Sequence, residues 1–169
     1  FSSFKEGFEL DFRLDGNVPD SIFKVNGLST VLGLKGANSS GKTNALKALS
    51  FISWFVSQSA DLDNDETIPV LTYFRSSEPA EFSIEFIYND IDYTYELNLC
   101  ESHVVFESFN KIENGRRKLL YKREAAEITY FDSSLKELSN IELKPNAAVI
   151  SHIKKYKFKS DIIDLKNAL

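Results

Sequence analysis

The chain has 169 residues, 43% of them hydrophobic, with fourteen Phe and seven Tyr; that is enough apolar side chain for one buried core and excludes an intrinsically disordered chain. A formal net charge of -5 excludes a global attraction to nucleic acid, so any such contact needs a local basic patch. The single cysteine, Cys100, excludes an internal disulfide, and no apolar run approaches the roughly 20 residues of a membrane span, so a reducing, cytoplasmic setting without membrane contact is expected.

The opening Phe1–Leu14 sets Phe4, Phe8, Leu10 and Phe12 among Lys5, Glu6, Glu9, Asp11 and Arg13. This alternation predicts a half-buried antiparallel strand pair turning at Gly7. A chain that starts at Phe1 inside an expected strand and contains no Met reads as part of a longer protein. Gly16 and Pro19 break a polar loop around Asp15–Asp20, and the apolar Thr30–Leu34 that follows reads as a buried central strand.

Along Lys42–Ser57, the residues Leu46, Leu49, Phe51, Ile52 and Phe55, with Ala45 and Ala48 between them, recur at helical spacing and predict a helix packed on the sheet. Trp54 on this helix reads as a core or interface anchor rather than a base-stacking platform. Ser59–Thr67, with Asp61, Asp63, Asp65 and Glu66, reads as an exposed acidic loop. It is no calcium loop, because Glu66 and Thr72 stand where an EF-hand needs Gly and Glu.

From Glu81 onward the alternation predicts an antiparallel meander of Phe82–Tyr88, Asp92–Leu99, Val104–Ile112, Lys118–Arg123 and Ile128–Phe131. Asn89-Asp90 and Asn114-Gly115 supply residues that tolerate the positive φ of tight hairpins. Cys100, at the end of a strand-like run, reads as a small half-buried hydrophobe. Weaker patterns predict helices at Ser133–Leu138, Ala147–Tyr156 and Ser160–Ala168.

The chemistry sits at Gly36-Ala37-Asn38-Ser39-Ser40-Gly41-Lys42-Thr43, which satisfies G-x-x-x-x-G-K-[ST] between an expected buried strand and an amphipathic helix. At average residue usage the bare pattern arises in on the order of one random chain in two hundred, before its flanks are required. Gly36 and Gly41 allow the backbone to curl so that successive amides face a phosphate, and the helix adds its positive N-terminal end. Lys42 is a mobile point charge for β and γ phosphates, and the hydroxyl of Thr43 is a hard oxygen donor for Mg²⁺.

Residues for hydrolysis are not evident. No run of four hydrophobic residues ends in Asp-Glu, Ile162-Ile163-Asp164 being too short, and no Leu-Ser-Gly-Gly-like or Asn-Lys-x-Asp sequence occurs. The catalytic residues are therefore unassigned. His103 and His152 stand far apart in sequence, without metal-ligand spacing to Cys100 or to an acid. Lys111, Arg116, Arg117, Lys118, Lys122 and Arg123 gather on one expected hairpin, and Lys154, Lys155, Lys157 and Lys159 form a second run. Either could touch the phosphates of a nucleic acid, and either also suits a solvated face.

The order Phe1-Ser2-Ser3-Phe4-Lys5, then the glycine-rich loop with Asn38 and with Asn44 just after it, then Phe82–Phe86 and the meander, then Lys144-Pro145-Asn146-Ala147, resembles the N-terminal lobe of the SMC-like AAA/ABC ATPases of bacterial abortive-infection and anti-phage systems. These include relatives of the overcoming-lysogenisation-defect nucleases. The resemblance implies an α/β P-loop NTPase lobe, ABC/SMC head-like, with an antiparallel β-meander. It divides 1–169, a single ATP-binding lobe, into strands, P-loop and first helix at 1–57, an acidic loop at 58–80, the meander at 81–131 and a mostly helical tail at 132–169. It also implies ATP and Mg²⁺ as cofactors, held by Gly36, Ala37, Asn38, Ser39, Ser40, Gly41, Lys42, Thr43 and Asn44, with Thr43 at the metal and Phe4 and Lys5 near the base or ribose. In such families the remaining motifs lie in a C-terminal half, and ATP is sandwiched between two heads. That implies ATPase activity in the full-length protein, a homo-oligomer and an effector partner, nuclease or toxin. Two other readings stay open: a self-contained P-loop kinase or nucleotidase, and a non-enzymatic nucleic-acid or protein interaction module.

Overall fold

A computed structural model describes residues 1–153 apart from Asp15 and Asp20. In its N-terminal part, strands β1 (Lys24–Val25) and β2 (Leu28–Ser29) pair antiparallel across Asn26-Gly27, whose φ values of 50° and 77° are those of a primed hairpin turn. The strand pair expected over Phe1–Leu14 does not form. Arg13 alone bridges to Leu28, supported by hydrogen bonds from the Ser29 amide to Phe12 O (2.8 Å) and from the Leu14 amide to Gly27 O (3.1 Å). The aromatic residues of the segment pack separately rather than along one sheet face. Phe4 and Phe8 pack against each other with ring centroids 4.2 Å apart and tilted by 42°, while Phe1 lies against Phe51 and Phe82.

The central strand expected at Thr30–Leu34 is also absent. Residues 31–37 carry no strand assignment, and Val31 is 75% exposed. A parallel strand is stable only when neighbours pair with it and both its faces are covered, and the described residues supply no such neighbours.

Helix α1 (Lys42–Gln58) forms as its periodicity predicts. Ala45, Ala48, Phe51, Ile52, Phe55 and Val56 are buried, and the ring of Trp54 packs against the same core. Leu46 and Leu49, expected on that stripe, lie on the outer flank and are exposed, because the stripe through Ala45, Ala48, Ile52 and Phe55 is rotated away from them. Beyond α1, Ser59–Asp61 makes a short 3₁₀ turn. The acidic loop is less open than expected, since Ser59, Ala60 and Leu62 are buried, whereas Asp63, Asp65 and Glu66 are exposed.

The meander follows its alternation closely: β3 (Ala80–Tyr88), β4 (Ile91–Leu99), β5 (Val104–Glu113), β6 (Arg116–Glu124) and β7 (Glu127–Phe131) form one five-stranded antiparallel sheet in sequence order. Its inner face is built from cross-strand neighbours, Phe82 opposite Leu97, Ile84 opposite Tyr95 and Phe109 opposite Tyr121. Phe51 of α1 stacks on Phe82 at 5.5 Å and so joins helix to sheet. Ser133–Asn140 is 3₁₀ rather than α, and α2 (Val149–Ile153) begins two residues later than the helix expected at Ala147–Tyr156, whose last residues, 154–156, lie outside the described residues. The helix expected at Ser160–Ala168, Ile162-Ile163-Asp164 and the basic run 154–159 lie outside the described residues.

On the same inner face a charged pair is fully buried. The Glu107 carboxylate accepts hydrogen bonds from the hydroxyls of Tyr95 (3.1 Å) and Tyr121 (2.8 Å) and from the amide of Val149 (3.0 and 3.1 Å), and it lies 3.7 Å from Arg123 Nη1. Burial pushes its carboxyl above the ordinary value against the pull of Arg123 and these donors. Arg123 in turn donates to the carbonyls of Ala125, Lys144, Pro145 and Ala147. The network ties β5 and β6 to the segment that starts α2. Among the described residues no helix is long and apolar enough to cross a membrane.

Candidate functional site

Residues 36–41 form an exposed turn that runs into Lys42, Thr43 and Asn44, the first residues of α1; Gly41, Lys42 and Asn44 are half-buried. Gly41 is required by its backbone, and Gly36 stands close to a side chain. A Cβ on Gly36 would come within 2.8 Å of Ser40 Oγ, and Gly41 holds φ 93°, where a Cβ would meet the Phe4 ring at 2.6 Å. Ser39, also left-handed at φ 65°, completes the reversal. The loop thus lies next to its own Ser40 hydroxyl and the Phe4 ring of the N-terminal segment.

The helix end behind it is left open. The first helical hydrogen bond runs from the Ala45 amide to Gly41 O at 3.0 Å, so the amides of Lys42, Thr43 and Asn44 have no helical acceptor. No side chain caps this end and no acid stands in the first turn. Seventeen residues of aligned peptide dipoles therefore present their positive end uncompensated, as an anion site requires.

The Lys42 ammonium reaches back over the loop, donating to Gly36 O at 2.8 Å, Ala37 O at 2.6 Å and Ser40 Oγ at 3.4 Å. It is a cation held at the loop's mouth by backbone carbonyls. The side chain of Thr43 is exposed in the first turn. Asn44 Nδ2 donates to Ser3 Oγ at 2.8 Å, so the N-terminal segment is fastened to the helix as well as stacked on Gly41. The nine residues singled out from the sequence are accordingly brought together. Of the two aromatic-corner residues, Phe4 touches the loop and Lys5 is exposed. Ser3 carried no signal of its own, since its contact with Asn44 spans 41 residues.

The other candidates are placed elsewhere. Lys111, Arg117, Lys118 and Lys122 form ion pairs with Glu113, Glu96, Asp132 and Glu124, and Arg123 is buried, so the hairpin's charge is largely matched locally. His152 is buried; its Nδ1 lies 2.8 Å from Ala148 O and its Nε2 accepts from the Lys144 amide at 3.1 Å. His103, three residues on from Cys100, does meet it, with Nδ1 3.2 Å from Sγ and 2.9 Å from Ser102 Oγ. Burial raises the Cys100 thiol, but hydrogen bonds with Ser102 and the His103 backbone outweigh it and leave the group below its ordinary value. No set of three metal-ligating side chains occurs among the described residues.

Comparison with curated proteins returns no match, and comparison with solved structures returns none. A family model described as "AAA domain, putative AbiEii toxin, Type IV TA system" matches residues 31–169, which include the whole glycine-rich loop, α1 and the sheet. Covering most of the sequence, this match shows that the chain belongs to that AAA-domain family.

Proposed function

We propose that this lobe binds ATP with Mg²⁺ at Gly36–Asn44 and works as an ATP-driven dimerisation switch of an SMC-like head, controlling an effector in anti-phage defence. The observation that carries the reading is the Lys42 ammonium poised over an uncapped, acid-free helix N-terminus. A triphosphate placed there meets three amides without helical acceptors and one mobile cation, and Lys42 exchanges carbonyl partners for phosphate oxygens. Thr43 is the residue that would hold Mg²⁺, which supplies charge neutralisation between β and γ phosphates. The family description, which names a toxin of a type IV toxin–antitoxin system, supports an effector as the output. Hydrolysis in this reading belongs to the closed pair of heads, since γ-phosphate contacts present in only one state are what favour closure.

Local pairing of four of the hairpin's basic side chains, Lys111, Arg117, Lys118 and Lys122, favours this reading over a nucleic-acid module built on that hairpin. Calorimetry with Mg²⁺-ATP and light scattering, on wild type and Lys42→Ala, test the proposal. Loss of charge-assisted hydrogen bonds should weaken ATP by about tenfold to a hundredfold and abolish ATP-dependent association. Equal affinity in the two proteins would remove Lys42 from the site, and tight binding without association would remove the switch.

A further inference from the structure

Beside the glycine-rich loop lies a cavity of about 330 Å³ lined by Ser2, Ser3, Asn44, Leu71, Thr72 and Phe74. Two of its walls are strained. Phe74 holds φ 42° and ψ 37°, and Ser2 holds φ 52°, a left-handed conformation that a bulky L residue rarely adopts. The strained segments hold each other in place, with the Ser2 amide donating to Leu71 O at 2.6 Å and the Phe74 amide to Ser2 O at 3.4 Å.

The strain brings no burial. Phe74 is 79% exposed, and its ring approaches Tyr73 edge-on at 4.8 Å. Backbone strain held by its surroundings for no packing gain is characteristic of positions that serve a ligand. The rest of the cavity is mixed in character: the aliphatic side chain of Leu71, the hydroxyls of Ser3 and Thr72, and the Asn44 carboxamide, whose Nδ2 donates to Ser3 Oγ and whose oxygen can accept. Its volume lies at the small end of organic-ligand sites. Its position restricts the ligand further, because Asn44 directly follows Thr43 in the first turn of α1.

We infer that this cavity is the nucleobase subsite of the loop, in which Phe74 stacks on a purine whose polar edge is read by Asn44 and Ser3. The inference rests on the nucleotide-binding reading above and adds to it a specificity residue on a segment that carries no motif. It predicts a ligand with a phosphate chain at one end and a flat aromatic ring at the other. Stacking selects for an aromatic ring, whereas the carboxamide and hydroxyl select among bases.

The test compares ATP with inorganic tripolyphosphate, both with Mg²⁺, by calorimetry on the whole chain. In Phe74→Ala, ATP affinity should fall on the order of tenfold, with tripolyphosphate affinity unchanged; Lys42→Ala should weaken both ligands. Phe74 is exposed and contributes little to the core, and unchanged tripolyphosphate binding serves as the control against a folding defect. In Phe74→Trp, ATP should be retained and should quench the new indole, while tripolyphosphate should not. If Phe74→Ala binds ATP as wild type does, or loses both ligands equally, the subsite is refuted while the phosphate loop stands. If wild type binds neither ligand, the nucleotide reading falls and the subsite falls with it.

Discussion

Gly41 meets two independent constraints, a left-handed backbone and an aromatic ring where a Cβ would stand. The ring can yield, because Phe4 is held at the end of a rotatable side chain, but the backbone cannot. Gly41→Ala should therefore lower stability by about 1–2 kcal/mol from the φ penalty alone, read by urea unfolding. It should also weaken triphosphate binding, because a loop that relaxes toward negative φ turns its amides away. The glycine was legible in the sequence because the need for it is local and the spacing to Lys42 is fixed. The ring it faces was not, since Phe4 is 37 positions away and reaches the loop only because the N-terminal segment leaves the sheet pairing its alternation suggested.

Among the elements, the strands of the meander are where local pattern and structure agree best. A period of two fits one buried and one solvated face, and the Asn89-Asp90 and Asn114-Gly115 turns take the positive φ their residue types allow. The junction between β7 and the 3₁₀ segment Ser133–Asn140 depends on one carboxylate. Asp132 Oδ1 accepts from the Ser134 amide (3.0 Å) and hydroxyl (2.7 Å), and Oδ2 pairs with Lys118 at 3.0 Å. These contacts, the Ser134 amide foremost, lower its pKa from 3.8 to about 2. Between those values the unfolded chain binds the extra proton, so stability present above pH 3.8 declines as pH falls and is lost below about 2. Asp132→Ala should cost about 1 kcal/mol at neutral pH, as the loss of an N-cap does, and should flatten this acid limb in unfolding curves followed by circular dichroism. Thr30–Leu34 is the element the pattern misjudged. An apolar run states that a segment can be covered on both faces, not that the covering strands are beside it.

At the scale of the molecule, the Glu107–Arg123 pair joins the sheet to the segment 144–149 through side chain and backbone together. Arg123→Met would leave a buried carboxylate without its cation and strand four carbonyls, so it should cost about 3–5 kcal/mol in chemical denaturation. Adding Glu107→Gln removes the stranded charge while keeping an acceptor for the tyrosines, and the double variant should be more stable than Arg123→Met alone. A double variant no better than the single would show that the carbonyl contacts, not the charge pair, carry the tie. In the sequence Arg123 stood among the basic residues of a hairpin and Glu107 carried no signal; only their register, opposite one another on the inner face, makes them core.

The glycine-rich turn, the helix behind it and the strands of the meander were readable from the chain alone, because each depends on contacts or periodicities within a few residues. Tertiary structure decided which apolar segments found partners, which charges became buried and which aromatic rings reached the loop. Those outcomes depend on contacts between residues tens of positions apart, whose closure entropy and competing partners leave no trace in local spacing.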